Sequence, residues 1–410
     1  MRRDAADAAA MQDALTRWRA DTPACDDRIH LNNAGASLMP APVHRAITAH
    51  LEREVALGGY EAADAAVDAI AETYEELSRV VGTRAQNIAV VGSATRGFAQ
   101  ALSTFDWRPG DRILTSSDDY VSNQLMYLSL AKRQGVLIDR CPDAPEGGVD
   151  VAAWERMLRE QPYQVAALTW IPTNSGLIQP AEELGALCKA AGVPYLLDAC
   201  QAVGQLDVNV GRLHCDYLSA TARKFLRGPR GIGFLAVSDA VLARGDAPLL
   251  VDMRGARWVE RDAYALVDDA KRFEEWELPH ALVLGMGAAV RYAREVGIST
   301  AAERAHALAT FARERFGAIK GVRGLDRGPR LSALATFTIE GHIARELVLA
   351  LRERGVNTSA QARGDALIDL DRKGATTLLR VSPHYYNTED EVEHAAQALE
   401  ALISQRAPSR

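Results

Sequence analysis

Asp198, Gln201 and Lys224 are spaced in a way that can do chemistry. The aspartate closes the apolar run of VPYLLDACQAVGQ, the glutamine follows three residues later, and the lysine stands 26 residues beyond the aspartate in SATARKFLRGPRGIGF. The chain has six lysines, at 132, 189, 224, 271, 320 and 373, and takes the rest of its positive charge from arginine. A lysine among so many arginines suggests a task that arginine cannot do, such as giving up a proton to form an imine. Taken singly, Lys224 also reads as a solvated surface charge. A carboxylate at a buried strand end is costly unless it caps a helix, meets a cation or holds a protonated ligand nitrogen.

A third stretch bears on the choice. NIAVVGSATRGFAQAL puts Gly92, Ser93, Ala94 and Thr95 between a strand and a helix, where free N–H groups and the helix dipole favour a phosphate. An ordinary Ser or Thr N-cap accounts for the same letters. Thr221 and Arg223 flank Lys224 and can also reach an anion. The combination says more than its parts. A phosphate cradle, a strand-end carboxylate and a strand-end amine on one sheet are what pyridoxal phosphate needs: anion donors, a partner for its protonated ring nitrogen, and an amine for its aldehyde.

Such residues must be held by a sheet, and the sequence supplies one. The segments NIAVVGS, DRILTSS, VLIDRC, QVAALTW, VPYLLDA, CDYLSA and GIGFLAV are short apolar runs separated by amphipathic stretches such as VAAWERMLREQ and AEELGALCKAAG. This alternation predicts a mainly parallel sheet with helices on both faces, whose ligand lies beyond the carboxyl ends of the strands. Past about Phe273 the helices lengthen, and SALATFTIEG and TTLLRVSPH then lead to a terminal helix capped by Thr388. We expect three parts: an N-terminal helical segment (1–30), a large cofactor domain (31–272) and a smaller α/β domain (273–410).

Composition narrows the function. With 410 residues, 48% of them hydrophobic, the chain can bury a large core. A net charge of −7 with no basic domain argues against general nucleic-acid or membrane-surface binding. No apolar run is long enough for a membrane span and the acidic N-terminal stretch is not a secretory signal, so a cytoplasmic location is expected. Cys25, Cys141, Cys188, Cys200 and Cys215 are odd in number and far apart, which fits reduced thiols and offers no metal cluster.

From IHLNNAGASLMP to the C-terminal helix, the order of GSATRG, DDYVSN, TWIPTNSG, LLDACQAVGQ, SATARKFLRGPRGIGF and LLRVSPHYYNTEDE resembles the class V aminotransferase family of fold-type I pyridoxal phosphate enzymes. That family includes cysteine desulfurases, carbon–sulfur lyases and isopenicillin-N-epimerase-like proteins. The resemblance implies a large domain with a mainly parallel seven-stranded sheet, a smaller C-terminal α/β domain, and a homodimer with active sites near the subunit interface. It implies that Lys224 binds the cofactor covalently, that Asp198 pairs with the pyridine nitrogen and that Gln201 meets the phenolic oxygen. Ala94, Thr95, Thr221 and Arg223 would hold phosphate, with Arg223 standing where the family more often has His. Tyr120 would stack on the ring, and Asn174 would lie near the phenolic oxygen and the substrate. Asn33 and Arg380 would hold the substrate, Arg380 by a bidentate grip on the α-carboxylate. A strand-edge arginine paired with an acid is the alternative for Arg380.

Two departures shape the expected reaction. The loop RGVNTSAQARGDALIDLDRKGATTLLR lacks the cysteine that desulfurases carry before the arginine strand, which disfavours sulfur transfer to the enzyme. In KRFEEWELPH, Trp276 and Glu277 stand where related enzymes carry a Thr that reaches the partner's phosphate, although a dimer is still expected. The resemblance is strongest to ergothioneine-type cysteine-sulfoxide lyases and epimerase-like enzymes. The leading expectation is therefore β-elimination from a cysteine conjugate or its sulfoxide, with a small amino acid as substrate. Amino transfer or epimerisation of another α-amino acid is the alternative.

Overall fold

The computed structural model describes residues 2–405. All seven apolar runs read from the sequence form strands of one sheet: β1 (Ile88–Val91), β2 (Arg112–Ser116), β3 (Leu137–Cys141), β4 (Val165–Thr169), β5 (Tyr195–Asp198), β6 (Tyr217–Thr221) and β7 (Gly233–Val237). Their order is β1-β7-β6-β5-β4-β2-β3. Only β7 is antiparallel to its neighbours, β1 and β6. The central strands β4, β5 and β6 are buried at every position, as near-continuous apolar runs must be when helices cover both faces. Each leucine in these runs contributes about 2 kcal/mol through burial.

The helices that bear on the site are α1 (Arg2–Ala20), α2 (Ala41–Leu57), α3 (Val67–Val81), α4 (Ala94–Leu102), α5 (Val121–Gln134), α6 (His280–Val296) and α7 (Glu389–Gln405). α4 follows β1 and α5 follows β2, so their N-termini lie at the carboxyl ends of those strands. α6 packs on α2 and α3, and its Val283, Met286 and Val290 belong to the same core cluster as strands β4 to β7.

A second sheet is four-stranded and antiparallel. Its strands β8 (Val322–Gly324), β9 (Ala335–Ile339), β10 (Ser359–Ala362) and β11 (Thr377–Val381) run in the order β8-β9-β11-β10. A core of Phe316, Phe337, Leu379 and Leu399 backs it, and Leu31 from the other end of the chain joins that core. Ile29 and His30 pair in parallel with Val356 and Asn357. Thr388 caps α7 reciprocally: its Oγ1 accepts from Glu391 N at 3.1 Å, while Glu391 Oε2 accepts from Thr388 N at 3.2 Å. Among the described residues no helix is long and apolar enough to cross a membrane.

Candidate active site

The carboxyl ends of β1, β5 and β6 open on a cavity of about 240 Å³. Eight of the residues singled out in the sequence line it: Ala94, Thr95, Tyr120, Asp198, Gln201, Thr221, Arg223 and Lys224. At the α4 end, Ser93 Oγ caps the helix by accepting from Arg96 N at 3.1 Å. The cap and phosphate readings are therefore compatible, since the cap takes one orphan donor and leaves others at the helix start. Gly233 lets β7 approach this corner. A Cβ there would lie 2.4 Å from Ala220 O and 3.1 Å from Ala94 N.

Asp198 ends β5 and is 4% exposed. Its Oδ1 accepts from Cys200 N at 3.0 Å and its Oδ2 from Asn123 Nδ2 at 3.0 Å. Asn123, on the first turn of α5, also donates to Asp119 Oδ1 at 3.3 Å. Asp119 accepts in addition from Tyr120 N at 2.7 Å and from the Thr169 hydroxyl. Burial raises the Asp119 carboxyl above its ordinary range, and Asp198 pushes the same way. Asn123 is not among the residues predicted from the sequence, although it lies in DDYVSN four residues from Asp119, a helical spacing that brings the two together.

Lys224 follows β6 on a tight turn that closes with Arg227 N donating to Lys224 O at 2.9 Å. Arg227 has a φ of 60°, in the left-handed region. Its side chain is fully employed: Nε donates to Leu38 O at 2.9 Å, Nη1 to Tyr385 OH at 2.7 Å and Nη2 to Thr22 Oγ1 at 2.6 Å. The guanidinium also lies 4.2 Å from the centre of the Tyr386 ring. These contacts hold a backbone conformation that costs an ordinary residue about 1–3 kcal/mol.

Burial lowers Lys224 to about 8, and Arg223 and Arg380 act in the same direction. Burial also keeps the Cys200 thiol far above its ordinary value, so Asp198 is the neighbouring anion that opposes the shift at neutral pH. A lysine so placed is partly neutral near pH 7 to 8 and can act as a nucleophile or base.

Arg380, on β11, does not line the cavity but reaches its edge through Thr173, which does. Its Nη1 donates to Thr173 O at 3.0 Å and to the Thr173 hydroxyl, and its Nη2 donates to Asn32 Oδ1 at 3.2 Å. Its Nε is buried without a partner, and no carboxylate pairs with it among the described residues. Burial, then Arg223, lowers it to about 10, which leaves it charged at neutral pH. The strand-edge alternative, an arginine paired with an acid, does not describe this environment.

Two predicted residues sit elsewhere. Asn33 donates to Ser382 O at 2.8 Å and accepts from the Tyr386 hydroxyl, so its side chain ties the two ends of the chain together. Its neighbour Asn32 is the one that faces Arg380. Asn174 likewise turns away from the cavity and donates to Asp118 Oδ1 at 2.7 Å and to Asp369 Oδ2 at 2.8 Å. Thr173 lines the cavity in its place, contacting Arg380 and accepting from Gln201 Nε2 at 3.2 Å. Both differences are a one-residue shift in a loop, where no periodicity tells which side chain points inward.

The cavity fits pyridoxal phosphate on its own terms. Three cations, Arg223, Lys224 and Arg230, line it against one carboxylate, Asp198, a surplus suited to a dianionic phosphate. Gln201 Oε1 is buried without a partner, while its Nε2 is held by Ala34 O at 3.0 Å.

The Aminotransferase class-V family model matches residues 29–394. The chain belongs to the class V aminotransferase family. It is a pyridoxal-phosphate-dependent enzyme of the α/β fold anticipated from its sequence. A probable cysteine desulfurase of Methanothermobacter thermautotrophicus is 25% identical over 390 residues, covering 94% of this chain and 97% of the relative. The structure of this class V enzyme is also similar to the apo cysteine desulfurase of Thermococcus onnurineus, with a TM-score of 0.85 at 24% identity over 95% and 98% of the two chains. The cystine C–S lyase C-DES, solved in complex with its product cysteine persulfide, superposes with a TM-score of 0.82 at 21% identity over 92% and 99%.

Proposed function

We propose that this enzyme breaks the carbon–sulfur bond of a cysteine conjugate or cysteine sulfoxide by β-elimination, releasing a sulfur species and 2-aminoacrylate, which water hydrolyses to pyruvate and ammonia. Support comes from relatives named as cysteine desulfurases and from a structural neighbour named as a cystine C–S lyase. The observation that carries the reading is Lys224 with its lowered affinity for protons, next to Arg380, a buried guanidinium with no carboxylate of its own. The pair is suited to an α-amino acid held by its carboxylate and deprotonated at Cα.

Lys224, Asp198, Gln201, Thr221, Arg223, Tyr120 and the 94–95 turn would hold the cofactor. When bound, pyridoxal phosphate supplies an electron sink for the pair left at Cα. Arg380 orients the substrate by its carboxylate, and Thr173 and Asn32 fix the guanidinium plane. Lys224 Nζ takes the α-proton, the Cβ–S bond breaks, and the sulfur departs with the bonding electrons. No cysteine lies between residues 354 and 380 to receive that sulfur, and the Cys200 thiol is held protonated. Release into solution is therefore favoured over transfer to the protein.

The test is to incubate holoenzyme with a panel of cysteine conjugates and sulfoxides and to assay pyruvate with and without a 2-oxo acid. Pyruvate formed without an acceptor is expected. Turnover that needs the 2-oxo acid, or exchange at Cα without pyruvate, overturns the elimination in favour of transfer or epimerisation.

A homodimer accompanies this reading. Leu249, Leu250, Met253, Trp258 and Tyr264 are all more than half exposed and cluster in the 249–266 segment, around the hairpin of Ala256–Glu260 and Ala263–Leu266. Apolar surface of that size calls for a partner, and a second copy is the partner we assign. Sedimentation at micromolar concentration should give twice the chain mass.

A further inference from the structure

A second cavity, of about 170 Å³, opens beside the cofactor cavity, between the first turns of α5 and the 364–369 segment. Val121, Leu125, Leu128, Leu367 and Ile368 give its wall a hydrocarbon stretch, with Gln124, Arg140 and Asp365 as the polar part. Leu125, Leu128 and Leu367 are about half exposed, which places them at the mouth. Its floor is different, being made of Asp118, Asn174 and Asp369.

The floor holds more acceptors than donors. Asn174 is 1% exposed, and because its Nδ2 serves two carboxylates, which only accept, its orientation is fixed and Oδ1 must face the other way. That Oδ1 is buried with no partner. Asp118 is 6% exposed, and its only side-chain hydrogen bond among the described residues is the one from Asn174. Two of the cations nearby are paired with acids, and a third, Arg140, lines the cavity and is held by a neutral amide. Lys373 binds Asp369 at 2.7 Å, Arg372 binds Asp143 at 2.6 Å, and Arg140 donates to Gln124 Oε1 at 2.6 Å. Asp119, next in the chain, is saturated by Thr169, Tyr120 N and Asn123. Asp118 thus makes no direct ion pair among the described residues, although Lys373 lies near enough to act on it, and a buried polar floor with free acceptors costs stability until something donates to it.

We propose that this cavity binds an organic cation, a primary ammonium or guanidinium on a short hydrocarbon stem. The nitrogen donates to Asp118 and to Asn174 Oδ1, and the stem lies against the leucines at the mouth. The same chemistry could be brought by a separate ligand or by the far end of a substrate, since Tyr120 and Thr173 of the cofactor cavity adjoin Asp119 and Asn174 in the chain. Neither source depends on the elimination reading, because binding needs no turnover.

Burial, then Asp369, pushes Asp118 up to about 8, with Lys373 and Asn174 opposing and Asp143 adding to the rise. Cation binding must therefore expel a proton below that pH. The sign is fixed: affinity rises with pH, by up to about tenfold per unit, and levels off above about 8.

The experiment titrates holoenzyme with n-butylammonium chloride by calorimetry, using butyrate and 1-butanol as isosteric controls. Saturable binding of the amine, absent for both controls and stronger at high pH, is expected. Asp118→Asn, which keeps the shape and can still accept from Asn174, should weaken it at least tenfold. Leu125→Lys, at a solvent-facing mouth position that tolerates charge, should do the same by repulsion. An unchanged visible band of the bound cofactor verifies that both variants are folded. Equal binding of butyrate, no saturable heat with the amine, or undiminished affinity in Asp118→Asn overturns the proposal. A paired arm separates the sources. Inhibition by n-butylammonium of S-(4-aminobutyl)cysteine turnover but not of S-pentylcysteine turnover supports a substrate tail, and simultaneous binding of amine and aminobutyl conjugate supports a separate ligand. Failure of every conjugate to yield pyruvate refutes the lyase reading and leaves the calorimetric result standing.

Discussion

Replacing Arg380 by alanine separates a carboxylate anchor from a structural arginine. The guanidinium is buried, unpaired with any acid among the described residues, and held by Thr173 and Asn32. Its desolvation is thus already complete before substrate arrives, and a bidentate carboxylate gains two charge-assisted hydrogen bonds of about 1.5–3 kcal/mol each. Removing the side chain should then cost about 3 kcal/mol or more of substrate interaction, close to two orders of magnitude in kcat/KM. Stability should respond far less. Losing the hydrogen bonds to Thr173 and Asn32 is offset by relief from burying an uncompensated charge, leaving a net change under about 2 kcal/mol. The assay compares an α-amino acid substrate with the corresponding cysteamine conjugate, which lacks the carboxylate, in wild type and Arg380→Ala. The loss should appear with the amino acid and vanish with the analogue, as a coupling energy demands. Equal loss on both, or less than about fivefold loss on the amino acid together with a marked fall in unfolding temperature, refutes the anchor.

Three further outcomes follow from the same geometry. On the proposed assignment of Lys224 to the cofactor's aldehyde, uptake of pyridoxal phosphate by the apoprotein needs the neutral amine, so its rate should rise with pH and level off above about 8, as followed by growth of the visible band; a rate independent of pH from 6 to 9 contradicts the assignment. Gly233→Ala forces a methyl against Ala220 O and the start of α4, so the cofactor's dissociation constant, measured by equilibrium dialysis, should rise about tenfold or more while the sheet still folds. Thr173→Val removes a hydroxyl that both Gln201 and Arg380 contact, and should lower kcat/KM about tenfold at nearly unchanged far-ultraviolet circular dichroism; an unaltered kcat/KM argues that the backbone carbonyl suffices.

Much of this was legible in the sequence, and the reason is periodicity. A strand buried on both faces writes itself as an unbroken apolar run, so all seven runs became strands and each fixed where its last residue would point. Asp198, Thr221 and Lys224 were readable because they follow such runs directly. The sheet edges were not: SAQA at Ser359–Ala362 is small and polar, and the three residues of Val322–Gly324 leave no pattern. Loops hid more. Asn32 against Asn33 and Thr173 against Asn174 are choices of inward-facing side chain that depend on turn geometry and on a contact with β11 far along the chain. The change of texture at Phe273 marks longer helices, yet α6 lies on α2 and α3 because its apolar face matches theirs, a tertiary fact that one helix alone does not carry.

The turn at Arg227 has a consequence for the order of assembly. The hydrogen bonds that fix it span 205 residues to Thr22 and 158 to Tyr385, so both are long-range closures. Contacts of such separation carry a larger closure entropy than the local contacts of the strands and helices, which favours their late formation. Lys224 is therefore locked in its turn only after both ends of the polypeptide have arrived, so a nascent chain that still lacks Tyr385 has its sheet but not the finished turn that carries Lys224.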